Sequence, residues 1–263
     1  MLNFRHTNIV FGAALLVLMG WTIARGISFY WFVGLGVGYS LLLFYGSYYV
    51  GSDFYVKVIC SGNEASPVAN ATQPIALSFD DGPAELYTPE ILRILAEQGV
   101  EAAFFCIGKR AAAHEGMLRQ IQEAGHIIGN HSYSHHGWFD LFSASRMTAD
   151  LLQMNACMER ATGLVPRLFR PPYGVTNPNL ARAIARGGFT PVGWNIRSLD
   201  TVIKDEKKLL RRTIGRLKPG AIVLFHDTSA VTVSILPTFI KEARALGYEC
   251  IRLDKLCNLA PYA

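Results

Sequence analysis

The sequence predicts an α/β fold built on a parallel sheet, and three observations carry that expectation. From Pro74 onward, strand-like and helix-like segments alternate, the pattern of a parallel sheet with helices outside. Runs such as Ile75–Phe79, apolar but for Ser78, and Ala221–Phe225, apolar throughout, are short, as strands buried on both faces are. Acidic and imidazole residues stand just after such runs: Asp80 and Asp81, then His131 and His135, then His226. An open doubly wound sheet and a closed barrel both satisfy the alternation. In a barrel all strand C-termini meet at one face, where active sites are built, so residues far apart in sequence converge there.

The front of the chain reads differently. The protein has 263 residues, is 51% hydrophobic and has a mean hydropathy of +0.23. The apolar excess lies in Ile9–Ala24 and Ile27–Val50, interrupted only by Arg25 and Gly26. A spanning helix needs about 20 apolar residues. The two runs are expected to form two transmembrane helices, with Trp21, Trp31, Tyr45, Tyr48 and Tyr49 near their ends as an aromatic belt. A cleaved signal peptide is the competing reading of the first run, but a second apolar run follows at once. Arg5 favours a cytoplasmic N-terminus and Arg25 a cytoplasmic hairpin; both cannot hold if both segments span. Gly34, Gly36 and Gly38 lie inside the second run and suit helix packing rather than phosphate binding. The expected organisation is a membrane anchor over 1–51, a linker over 52–73 and a globular domain over 74–263.

Within that domain each element has its own signal. Strand Ile75–Phe79 leads to a helix opened by Thr88 and Pro89 and closed by Gly99. Strand Ala102–Ile107 leads to a helix ending near Gly125. Strand His126–Gly129 leads, after a long loop, to the helix Ser143–Thr162, closed by Gly163. Strand Leu168–Arg170 precedes a helix opened by Asn177 and Pro178. Strand Thr190–Asn195 precedes Lys204–Leu217, strand Ala221–Phe225 precedes Thr232–Leu246, and a last strand covers Tyr248–Leu253. Seven strands result.

Charge and cysteine content exclude little. The net charge is +5 and the pI about 9.0. Lys207, Lys208, Arg211 and Arg212 suit a solvated helix face, so no nucleic-acid partner is expected. The five cysteines (Cys60, Cys106, Cys157, Cys250 and Cys257) include no Cys-x-x-Cys, and leave the redox compartment open.

The chemistry lies in four short stretches. Ser78–Pro83 puts two carboxylates at a strand end. Neighbouring strand residues point to opposite faces, which suits one metal-binding and one proton-handling aspartate better than a glycosidase pair. His131 and His135 share a face if they lie on a helical turn and can clasp one ion. Asp, His and His form a reasonable ligand set for a catalytic zinc that leaves a position open for water. Arg170–Gly174 is a rigid loop in which Tyr173 keeps the backbone N–H that its two prolines lack, suited to a developing oxyanion. His226 stands at a strand end where a general acid is useful.

In their order and common placement these stretches resemble the polysaccharide deacetylases with a NodB homology domain, carbohydrate esterase family four, over about residues 74–256. A further stretch of the family's pattern, Trp194–Asp200, lies between the third and the last of these and is looser, with Thr201 where a tryptophan often follows. The resemblance implies an irregular (β/α)7 barrel of NodB type. It implies that Asp81, His131 and His135 hold a divalent metal, zinc first and cobalt or nickel as substitutes. It makes Asp80 the general base and has Arg170 orient it. It makes His226 the acid that protonates the leaving amine and Asp200 its support. The Tyr173 N–H would stabilise the oxyanion, and Leu224 and Trp194 would line the acetyl pocket. The implied substrate is an N-acetylated glycan: peptidoglycan, a chitin-like oligomer or an exopolysaccharide. Such glycans lie outside the cytoplasm. The expectation is therefore a multi-pass protein of the cell membrane, with residues 52–263 outside and Arg25 in a cytoplasmic hairpin. A non-catalytic glycan-binding protein would have lost Asp80 or a metal ligand, and none is lost. A hydrolase of another amide is the remaining rival.

Overall fold

The computed structural model describes residues 3–62 and 72–263. Two long helices come first, α1 (Phe4–Arg25) and α2 (Tyr30–Tyr48). They pack antiparallel: Phe11 meets Tyr39, and the Tyr39 hydroxyl donates to Asn8 at 2.8 Å. Among the described residues, α1 alone is both long and apolar enough to cross a membrane, with a mean hydropathy of 1.8 and little burial. The second expected span is a 19-residue helix, shorter than α1 with its 22. The expected linker lies partly outside the described residues. Its first part packs on the sheet: Phe54 and Val58 are buried, and Ile59 bridges Val192.

Eight strands then form the sheet: β1 (Gln73–Asp80), β2 (Ala103–Cys106), β3 (Ile127–Asn130), β4 (Leu168–Phe169), β5 (Thr190–Pro191), β6 (Ile196–Arg197), β7 (Ile222–His226) and β8 (Tyr248–Cys250). The order is β5-β4-β3-β2-β1-β7-β6, all parallel, with β8 pairing the start of β1. The intervening helices are α3 (Thr88–Gln98), α4 (Gly108–Ala113), α5 (Glu115–Glu123), α6 (Ala144–Thr162), α7 (Pro178–Gly187), α8 (Glu206–Ile214) and α9 (Ala230–Ala245); α10 (Leu253–Cys257) follows β8.

The result is the expected α/β fold on a parallel sheet, opened to a half-barrel of eight strands among the described residues where a barrel of seven was expected. No ladder joins β5 to β6 among the described residues. The expected strand Thr190–Asn195 breaks because Pro191 has no N–H to donate and the Gly193 N–H goes instead to Ile59. A second difference is the helix before Gly125, which is split in two at His114.

Alternation along the strands sorts the side chains. On β1, Ile75, Leu77 and Phe79 face outward into the main core beneath the helices. Ala76 faces inward, joining Phe105, Val192 and Ile222 in a smaller core that includes Leu253 and Leu256. By the same two-residue period, Ser78 and Asp80 face inward. On β7, Leu224 and His226 do likewise, and the register sets Asp80 directly beside His226. This pairing brings a buried carboxylate and an imidazole to one end of the half-barrel.

Candidate active site

Asp80 ends β1 almost fully buried. Arg170, itself fully buried, reaches it from beyond β4. Its Nη1 donates to Asp80 Oδ1 at 2.7 Å and to Ser78 Oγ at 2.9 Å, and its Nη2 donates to the Gly193 carbonyl at 2.8 Å. The guanidinium lies 4.0 Å over the Phe105 ring. Burial pulls the Arg170 pKa down and Asp80 opposes it, so each charge makes the other tolerable in the interior.

Asp81 follows with φ 77°, and this left-handed turn swings its carboxylate back to the face that Asp80 occupies. His131 Nε2 lies 3.5 Å and His135 Nε2 3.3 Å from Asp81 Oδ1. The histidines do not share the helical turn that their spacing suggested. They sit on a loop with positive φ at Ser132 and His135. Asn130 accepts from the Ser132 N–H, Ser132 Oγ accepts from the His135 N–H, and Asp150 of α6 accepts from the Tyr133 and Ser134 N–H groups. His131 Nδ1 is 2.8 Å from the Arg170 carbonyl, which leaves Nε2 for the cluster.

Opposite stands His226. Its Nδ1 is 2.7 Å from Asp200 Oδ1, and its backbone N–H donates to Oδ2 at 2.7 Å. Asp200 is fully buried and also accepts from Thr232. Burial pulls the His226 imidazole down, but the hydrogen bond and charge of Asp200 raise it above the ordinary histidine value. Burial likewise pushes the Asp200 carboxyl up, and His226 more than offsets this.

These groups open on one cavity of about 180 Å³, also bounded by Tyr173, Trp194, Leu224 and Arg197. Tyr173 has φ 60°, and among the described residues its N–H donates to no other group. Gly174 is required beside it, because a Cβ there would lie 2.6 Å from the Trp194 ring. Among the described residues, five of the seven non-glycine residues with positive φ, namely Asp81, Ser132, His135, Tyr173 and Leu199, lie in or beside the site. Such conformations cost about 1–3 kcal/mol each and persist only where the surroundings impose them.

Residues 68–192 match the polysaccharide deacetylase family. The chain is 30% identical over 165 residues to a chitooligosaccharide deacetylase of Azorhizobium caulinodans, covering 62% of this chain and 78% of that one. The chain belongs to the polysaccharide deacetylase family. Another relative, the peptidoglycan N-acetylglucosamine deacetylase PgdA of Listeria monocytogenes, is 30% identical over 72% of this chain, which spans only 40% of PgdA's length. Among solved structures, a family 4 carbohydrate esterase from Streptomyces lividans in complex with acetate superposes with a TM-score of 0.64. The two are 30% identical, with 68% of this chain and 92% of that one covered.

Within this family member every residue singled out from the sequence lines the cavity or touches a residue that does. Thr201, which stands where the resemblance would place a tryptophan, lies on the cavity wall and is exposed. Sequence reasoning missed Arg197 on the same wall. It also missed Ser78, Asp150 and Asp227. Asp227 is fully buried against Gly82, accepts from the Thr88 hydroxyl at 2.6 Å, and leaves Oδ1 without a partner. Burial pushes its pKa up to about 7. Its position next to His226 was the available signal.

The donors fit a divalent metal. The ligand atoms of Asp81, His131 and His135 lie within 4.8 Å of one another. Ligands about 2.1 Å from one centre at tetrahedral angles lie about 3.4 Å apart. The two separations from Asp81 Oδ1, 3.5 and 3.3 Å, match this.

Proposed function

We propose that the protein is a metal-dependent N-deacetylase that hydrolyses the N-acetyl amides of N-acetylglucosamine-type residues of a glycan, releasing acetate and leaving the free amine. One observation carries this reading: a carboxylate and an imidazole on paired positions of adjacent strands face one cavity whose floor holds a three-ligand cluster. Asp81, His131 and His135 would hold a divalent metal, zinc first and cobalt or nickel as alternatives. A cation there supplies Lewis acidity toward the amide carbonyl and lowers the pKa of a coordinated water.

The chain's own residues do the rest. Asp80, oriented by Arg170, accepts the proton of the attacking water. The Tyr173 N–H donates to the carbonyl oxygen as it gains charge. His226, with Nδ1 held by Asp200, presents Nε2 to protonate the leaving amine. Leu224 and Trp194 would enclose the acetyl methyl. The catalytic domain is assigned to residues 74–263. The helical pair within 1–51 would anchor it to the membrane, with 52–73 as connection and the domain outside the cytoplasm.

The test is acetate release from a panel of N-acetylglucosamine polymers. A chelator should abolish it, and zinc or cobalt should restore it. His131→Ala should lose both metal and activity, because it removes one of three protein ligands. Full metal content in that variant would overturn the ligand assignment.

A further inference from the structure

The domain-side end of the helical pair is hydrogen-bonded to a segment just after the active-site residue Tyr173. The carbonyls of the last turn of α2 have no partner within the helix. Two of them are taken by a single residue: the Thr176 N–H donates to the Ser47 carbonyl and its hydroxyl donates to the Gly46 carbonyl, both at 3.0 Å. Thr176 is 2% exposed and lies three residues after Tyr173. Consecutive Cα atoms are 3.8 Å apart, so Tyr173 lies within about 11 Å of Thr176, the residue that holds the end of α2. The junction is close-packed, because a Cβ on Gly46 would lie 2.2 Å from the Phe54 ring. The start of α1 docks at the same place, its Phe4 N–H donating to the Phe54 carbonyl. The far end of the pair, at Arg25, lies about 33 Å away at 1.5 Å per residue, close to the roughly 30 Å of a bilayer core.

Exposed apolar and aromatic residues stand on the segments that meet at that junction. Tyr48 and Tyr49 close α2 at 63% and 55% exposure. Trp138 and Leu141, on the loop just after the histidine pair, are 68% and 74% exposed. That loop is tied to the Thr176 segment by a hydrogen bond from Asn177 to the Asp140 carbonyl at 2.7 Å. Leu141 and Tyr48 line one notch with the exposed cation Arg182. Tryptophan, tyrosine and arginine at the end of an apolar helix are the residues of a bilayer's interfacial layer.

We propose that this rim sits in the lipid head-group layer, and that the substrate is a glycan attached to a lipid, presented at the membrane surface. This rests on the deacetylase reading and names its substrate class. The experiment uses the full chain in liposomes and three probes: N-acetylchitotetraose free in solution, joined directly to a dialkyl lipid, and joined through a spacer of roughly 40 Å, about the thickness of a bilayer with its head groups. The expected result is a kcat/KM for the directly joined probe at least about tenfold above that of the free sugar and no lower than that of the spaced probe, since confinement raises effective concentration. Replacing Trp138→Ser together with Leu141→Ser should lower turnover of the directly joined probe several-fold and leave the free sugar unchanged. A requirement for the spacer, or faster use of the free sugar, would overturn the proposal while the deacetylase reading stands. Equal loss on free and anchored probes in the double variant would make these residues a glycan subsite and also overturn it. No acetate from any probe would remove both readings.

Discussion

Asp80 and Asp81 are neighbours, yet their surroundings divide their work. Asp80 is locked by a buried arginine, whereas Asp81 is half-buried and meets two imidazoles. Burial pushes the Asp81 carboxyl up, but His131, His135 and His226 outweigh it and hold it below the usual carboxylate range. Asp80→Asn should therefore keep metal and lose roughly 10²–10⁴-fold in turnover, the usual worth of a positioned base. Asp81→Asn should lower metal content first. Elemental analysis beside a rate assay separates the two, and equal metal loss in both would void the division. His226 gives a prediction in pH. An acid must carry its proton, so the rate falls as pH rises through its pKa. Asp200 raises that pKa; removing its charge lowers it. Asp200→Asn should thus move the basic limb of the pH–rate profile to lower pH. An unshifted limb would remove Asp200 from the scheme.

At the scale of elements, legibility followed range. β1 and β7 were readable because burial on both faces leaves a continuous apolar run, and their C-terminal residues therefore announced the site. The helix caps Gly99 and Gly163 were readable because both adopt a left-handed backbone. What could not be read depends on distant partners. The break at Pro191 is completed by Ile59, more than a hundred residues earlier in the chain. The histidine spacing suggested a helical turn, but the loop's N–H groups are satisfied by Asn130 and by Asp150 from α6. Asp150 is thus a positioning residue for His131 and His135. Groups that orient metal ligands typically change affinity about 10–100-fold when removed. Asp150→Ala should weaken zinc binding by that order with the near-ultraviolet circular dichroism preserved. Unchanged affinity would show that the loop holds its shape without α6.

At the scale of the whole molecule, the antiparallel helical pair fixes which ends share a side. Phe4 donates to Phe54, and Ser47 accepts from Thr176, so the start of α1 and the end of α2 meet the same surface of the domain. If the pair spans a bilayer, the N-terminus and residues 52–263 lie on one side, and only the turn at Arg25 lies on the other. Charge alone does not choose the side, since Arg5 and Arg25 oppose each other. The glycan chemistry proposed for the site does: substrates of that class lie outside the cytoplasm. Epitopes placed before Met1 and after Ala263 should both be removed by protease added to intact right-side-out vesicles. A phosphatase reporter fused after Ala263 should be active. Protection of both epitopes would reverse the orientation and leave the hairpin in place. Loss of one epitope with protection of the other would mean that only α1 crosses, in agreement with its being the one helix apolar and long enough among the described residues.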